Sequence, residues 1–292
     1  MNGIIAINKP PNFTSFDVVA KLRRILKIKK IGHGGTLDPM ATGVLPIFIG
    51  NATKIIELIP NQNKRYVAGF KLGISTTSLD ITGEVTSQKE SKVTKSQLIN
   101  CLNQFIGNIN QIPPMYSAIK INGQKLYNLA RKGIEVKRAP RPVTIYTIQL
   151  LDFNQSSQQG IIEVYSSKGT YIRTLISDVG DSLNVGATLT SLNRTQALGL
   201  NINQCFQLQD VENLKIAGKL NNILIPPEYM LKDLPAIYLN DATLCKLKNG
   251  VKIPTPITNA LHHRVYNSQN KFIGVAYNDA TNKYLKIKQC YI

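Results

Sequence analysis

The segment Gly32-His33-Gly34-Gly35-Thr36-Leu37-Asp38-Pro39-Met40-Ala41-Thr42-Gly43 runs directly into the apolar stretch Val44 to Ile49. That stretch reads as a buried strand, and residues 36–43 as a loop punctuated by glycine, aspartate and proline. Two phosphate-binding loops are excluded. GxxxxGK[ST] is absent, and Leu37 stands where the third glycine of GxGxxG would be. Glycines let backbone approach a ligand closely, and Pro39 stiffens the residue after Asp38. Asp38 is one of three acids in residues 1–60, with Asp17 and Glu57, so nearby positive charge is expected to lower its pKa and keep it ionised. The same residues also suit a turn whose Asp caps local amides. Loop chemistry alone leaves the two readings open.

Around this segment the chain alternates between strand and helix signals. Ile4 to Ile7 reads as a strand ending at Lys9-Pro10-Pro11. Thr14-Ser15-Phe16-Asp17 has capping-box spacing, and Val18, Val19, Leu22, Ile25 and Leu26 follow at helical intervals, predicting a helix over about 15–27. Its other face carries Lys21, Arg23 and Arg24. Strands are predicted over 66–72 and 161–166, helices over 95–105, 125–131 and from Gly169-Thr170 onward, and a turn at Thr82-Gly83-Glu84. Met115 to Ile121 is expected to be extended, with Asn122-Gly123 as a hairpin turn. Past Pro226-Pro227 and Pro235 short β-like runs dominate, placing a boundary near 232. Interleaved strands and helices without regular βαβ spacing predict an α+β fold.

Charge narrows the partner. Lys and Arg number 35 against 17 Asp and Glu, for a net +18. The balance is +14 in residues 1–150, −1 in 151–232 and +5 in 233–292. Clusters at Lys21–Lys30 and at Arg131, Lys132, Lys137, Arg138 and Arg141 suit a polyanion, either nucleic acid or a membrane surface, and the pattern favours nucleic acid. Taken singly, a cluster is better read as a solvated face. No apolar run approaches the ~20 residues of a bilayer span, and the start of the chain does not read as an export signal, so a cytoplasmic location is expected. The four cysteines form no C-x-x-C pair and only three histidines occur, so neither a metal nor a redox dithiol is expected.

GHGGTLDPMATGVLP strongly resembles the catalytic-aspartate motif of TruB-like tRNA pseudouridine synthases, shared with the dyskerin-type RNA-guided enzymes. The resemblance continues, in order, through Lys9-Pro10, Lys64-Arg65-Tyr66, Ile112 to Ala118, Lys125-Leu126-Tyr127, Ala130-Arg131 and Ser167 to Arg173, and covers roughly residues 3–230. It implies a pseudouridine synthase fold: a central mixed, mainly antiparallel sheet flanked by helices over 1–232, with a thumb-like insertion at about 124–142. Residues 233–292 resemble, more weakly, a small β-rich PUA-type RNA-binding module.

The implied activity is isomerisation of the T-loop uridine at position 55 of tRNA, with no cofactor, no metal and no obligatory protein partner. A monomer that grips the T arm, and the acceptor stem through 233–292, is implied with it. By motif position Asp38, Tyr66 and Arg173 would be catalytic, and His33, Tyr171, Leu192 and Lys9 would contact the substrate. Arg131, Lys132, Lys137, Arg138, Lys21 and Arg24 would meet RNA phosphates. One carboxylate suffices for an isomerase, because the detached uracil returns as the nucleophile and water has to be kept out. A second reading is an RNA-folding chaperone of the same fold, and a third is a guided subunit that depends on partners.

Overall fold

The computed structural model describes residues 1–121, 123–254, 260–279 and 284–290, so Asn122 of the expected Asn-Gly turn lies outside the described residues. β1 (Gly3–Lys9) leads into α1 (Ser15–Leu26), and β2 (Ile31–His33) and β3 (Thr42–Ile49) flank the glycine-rich loop. β4 (Lys64–Leu72) is followed by a small hairpin, β5 (Ile74–Thr76) and β6 (Val85–Gln88), then α2 (Lys95–Gln104) and β7 (Gly107–Gln111). A second hairpin, β8 (Lys120–Ile121) and β9 (Gln124–Lys125), opens into α3 (Leu126–Ala130). Then come β10 (Arg141–Asn154), β11 (Gln159–Ser166), α4 (Ile172–Ser182), β12 (Ala187–Ala197), β13 (Leu200–Asn201) and α5 (Leu208–Ile216). The C-terminal elements are β14 (Ala236–Leu239), α6 (Asp241–Lys248), β15 (Ile253–Pro254), β16 (His262–Asn267), β17 (Phe272–Asn278) and β18 (Tyr284–Cys290).

Nine strands form the central sheet in the order β1-β3-β12-β4-β11-β10-β7, with β2 on β3 and β13 on β12. All its pairings are antiparallel except β12 with β3, so the sheet is mixed and mainly antiparallel, as expected. The five C-terminal strands make a second sheet, β14-β16-β17-β18-β15. It is not free of the first, because Phe272 and Val275 share an apolar cluster with Ile4, Val44 and Phe48.

Local chemistry explains the helices. At α1 the Thr14 hydroxyl accepts from the Asp17 N–H at 3.1 Å, while the Asp17 carboxylate accepts from the Thr14 N–H at 2.8 Å. Val18, Val19, Leu22 and Leu26 pack inward with Ile5, Ile7 and Leu45, and Lys21 and Arg24 stay outside. On α4, Ile172, Leu175, Ile176 and Val179 cover Tyr66, Ala68 and Phe70 of β4.

Two expectations need correction. Residues 115–118 are bends rather than extended chain. Pro113 and Pro114 have no N–H for a ladder, and the segment is turned inward by Ser117 N–H to Met115 O (2.9 Å) and Tyr127 N–H to Ser117 O (3.1 Å). The C-terminal run is not purely β. Asn240 caps α6 by accepting from the Thr243 N–H at 2.8 Å, and Leu244 and Leu247 are its buried side.

One irregularity of the sheet positions the site. β1 pairs along the whole of one edge of β3. The other edge is divided: β12 meets it only at Thr42 and Gly43, and β2 takes Ile47 to Ile49. Between these pairings β3 and β12 part, and residues 34–41 stand over the parting.

Candidate active site

The loop before β3 is held on both sides. From below, the Ser15 hydroxyl accepts from the Leu37 N–H at 2.9 Å, and the Asn12 N–H donates to Pro39 O at 2.9 Å. From the sheet, Arg194 of β12 donates Nε to Val44 O (2.8 Å), Nη1 to Thr36 O (3.3 Å) and Nη2 to Gly35 O (3.1 Å). A side chain thus continues the ladder that β12 and β3 abandon. Gly43 closes the loop at φ +101, where an added Cβ would lie 2.2 Å from the Arg194 carbonyl oxygen, so only glycine fits this strand contact.

Lys9 differs from its expected place. It is fully buried, and its ammonium donates to the carbonyls of Pro10 (2.8 Å), Phe13 (2.5 Å) and Pro39 (3.1 Å). Burial, with Arg194 adding to it, brings its pKa down to about 8 against the pull of Asp38. With its donors spent on the backbone, Lys9 anchors the Asp38 loop and offers no free donor to a substrate.

Asp38 and Arg173 meet, and they form a fork. Nε of Arg173 lies 2.9 Å from one Asp38 oxygen and Nη2 lies 3.1 Å from the other. The same guanidinium donates to Tyr116 O (2.7 Å) and Ser78 O (3.0 Å), and Nη1 sits 3.6 Å from Asp80. Asp80 was not foreseen. Its Oδ1 accepts from the hydroxyls of Ser78 and Thr82 and from the Thr82 N–H at 3.0 Å, which makes it a rigid back wall for Arg173. The Asp38 side chain keeps 33% of its surface exposed, against 4% for Arg173 and 6% for Asp80, so the open end of this chain of charges is Asp38.

The expectation of a lowered Asp38 pKa is corrected. Desolvation pushes its carboxyl above the usual carboxylate range, Asp80 adds to that, and Arg173 and Lys9 pull the other way. A desolvated carboxylate gripped by a guanidinium is a nucleophile, or an electrostatic partner for a positive centre.

Tyr66 stands directly across from Arg194 in the β4–β12 register, and Leu192 across from Ala68. Tyr66 and Leu192 are buried in one cluster with Leu37 and Ala41. Burial raises the Tyr66 pKa, opposed by the charge of Arg194 and its interaction with the phenol. Lys64, next to Tyr66, has its pKa lowered to about 8 by burial, then by Arg194 and Lys168. Half-buried His33 lies at the loop entrance, its Nδ1 accepting weakly from the Gly35 N–H at 3.4 Å. Burial and then Arg194 hold its pKa below the usual imidazole value, so it is neutral near pH 7. Tyr171 caps α4, and its backbone is fixed by Gln111, which donates to Tyr171 O at 3.0 Å and accepts from its N–H at 2.7 Å.

The cationic residues divide. Lys21, Arg24, Arg131, Lys132 and Lys137 are exposed. Arg138 is only 19% exposed, pairs with Glu135 at 3.1 Å, and lines a cleft of about 490 Å³ between Pro113–Tyr116 and the Ser177–Asp178 turn of α4. Arg138 is therefore partly spent within the protein.

Residues 23–172 match the family model for the TruB family pseudouridylate synthase N-terminal domain, and residues 173–232 match that for the tRNA pseudouridylate synthase B C-terminal domain. The chain belongs to the TruB family of pseudouridylate synthases. A tRNA pseudouridine synthase B from Dehalococcoides mccartyi is 44% identical over 277 residues, spanning 94% of this chain and 92% of that protein. One from Clostridium tetani is 47% identical over 254 residues, 87% of this chain and 86% of the relative. Among solved structures, a chain of a Cbf5-Nop10-Gar1 complex superposes with a TM-score of 0.76 at 24% identity, covering 99% of this chain and 85% of that one. That likeness shows the pseudouridine synthase fold. As a member of the TruB family the chain is an isomerase that rearranges uridine to pseudouridine.

Proposed function

We propose that this isomerase converts the T-loop uridine at position 55 of tRNA to pseudouridine, with Asp38 acting on a flipped-out base. The observation that carries this reading is the forked Asp38–Arg173 pair, whose one exposed end lies on the loop that Arg194 ties to β12, across from Tyr66 of β4. The relatives named tRNA pseudouridine synthase B supply the substrate class. In the reaction the C1′–N1 bond breaks, uracil turns in place, C1′ bonds to C5, and the C5 proton leaves as N1 gains one. Nothing is oxidised. Asp38 is the group placed to meet C1′, Tyr66 and Leu192 form the wall against the base, and Tyr171 closes the α4 side. A stacked base is out of reach of Asp38, so the loop base has to leave the stack, at a cost of roughly a few kcal/mol. His33, neutral and half-buried at the entrance, is placed to fill the vacated space.

The exposed Lys21, Arg24, Arg131, Lys132 and Lys137 are positioned for phosphates and supply affinity rather than chemistry. Residues 233–292, with a +5 balance and the exposed Tyr238 stacked on Tyr266, would hold RNA outside the reacting loop. Among the described residues no helix is long and apolar enough to cross a membrane; the cytoplasmic location belongs to the proposal through its tRNA substrate. The test is the purified chain, alone, with a T-arm stem-loop carrying tritium at C5 of the target uridine. Release of tritium without guide RNA or added protein is expected; its absence with correctly folded enzyme would contradict the reading.

A further inference from the structure

Arg194 is a charge that the proposed reaction does not use. It is fully buried, and among the described residues no carboxylate lies within 4.0 Å of it. A guanidinium in such a place is costly unless its donors are satisfied. Three of its N–H groups go to the carbonyls of Val44, Thr36 and Gly35, which belong to the catalytic loop and the strand that follows it. Guanidinium has five N–H donors, so one remains on each terminal nitrogen. Tyr66 is its cross-strand partner in the β4–β12 register, and the charge of Arg194 opposes the rise that burial gives the Tyr66 pKa.

We infer that Arg194 is a positioning residue that locks the Gly35–Asp38 loop and the Tyr66 hydroxyl into one geometry, so that carboxylate and phenol address the same uridine. This rests on the function proposed above. The physical reason is the fork. A planar guanidinium donates to both carbonyls of the loop from a residue that stands across from Tyr66 in the sheet, which a point-like ammonium does not do. The cation also depresses the pKa values of Lys9, Lys64 and His33, so these basic neighbours add to the cost of its burial. A hydrophobic residue would fill the volume but leave the Gly35, Thr36 and Val44 carbonyls unpaired.

The test uses the full chain and a T-arm stem-loop, with Arg194→Gln, Arg194→Lys, Tyr66→Phe and the Arg194→Gln/Tyr66→Phe double variant. Arg194→Gln is expected to lower single-turnover rate by ~100-fold or more at saturating RNA while affinity stays within about threefold, and Arg194→Lys to recover only part of the rate. The two losses should multiply only in part in the double variant, because the phenol is one of the two groups that Arg194 positions. Amide exchange at Leu37 and Ala41, read without RNA, is expected to quicken in Arg194→Gln. Unchanged rate with unchanged exchange, or losses that multiply fully, would overturn the inference. Absence of turnover in the unmodified chain would instead count against the T-loop reading, while the exchange experiment would still decide whether Arg194 clamps the loop.

Discussion

The Asp38 loop and the segment at 124–142 are both rich in cations nearby, yet they use charge in opposite ways. Around Asp38 the basic groups Lys9, Arg173 and Arg194 are buried, and each donates to backbone carbonyls or a carboxylate. In the other segment Arg131, Lys132 and Lys137 are exposed, with Arg131 lying over the Tyr127 ring at 5.6 Å. The difference teaches that a net charge of +18 is two things in one number. Buried charge fixes geometry and is costly to remove; exposed charge gathers phosphates and is nearly free to change.

Arg173→Met should break the comparison hardest. It leaves Asp38 and Asp80 facing each other without a cation, so a stability loss of about 3–5 kcal/mol is expected by urea unfolding, together with loss of turnover. A variant with near-normal stability would show that the charges are not coupled. Asp80→Asn should act more mildly, and through pH. The negative charge of Asp80 raises the Asp38 pKa, so its removal lowers that pKa and lets Asp38 stay ionised to lower pH. The acid limb of the rate profile should therefore move down, and movement upward would refute the assigned electrostatics. The joint variant Arg131→Glu/Lys132→Glu should leave stability within about 0.5 kcal/mol. Its effect should fall on RNA affinity and on a flatter salt dependence, and an unchanged salt slope would show that these cations do not meet phosphate.

How much of this was legible depended on the range of the interaction. The α1 cap needs only Thr14 and Asp17, three residues apart, and is plain in the sequence. The inward side of α4 follows from its apolar spacing. Helix α6 is marked only by Asn240, Leu244 and Leu247, and its polar surface and the β-like runs around it mask so short a period. Asp38, Tyr66 and Arg173 were reached through a motif, and the structure brings Asp38 and Arg173 together across 135 positions of chain. Asp80 and Arg194 carry no local signal of comparable strength. Asp80 matters because α4 delivers Arg173 to it, and Arg194 because β12 registers against Tyr66. The one available hint was an arginine on the inward side of a strand, two residues after Leu192. Desolvation was also invisible, so the pKa of Asp38 was expected to move the wrong way: counting neighbouring cations gives the sign of the Coulomb attraction but not the burial that opposes it.

The most direct test of the central claim is Asp38→Ala, measured for both turnover and tRNA binding. The account predicts that pseudouridine formation is abolished while affinity stays within about tenfold, since phosphate contacts elsewhere dominate binding. Retained turnover in that variant would contradict it.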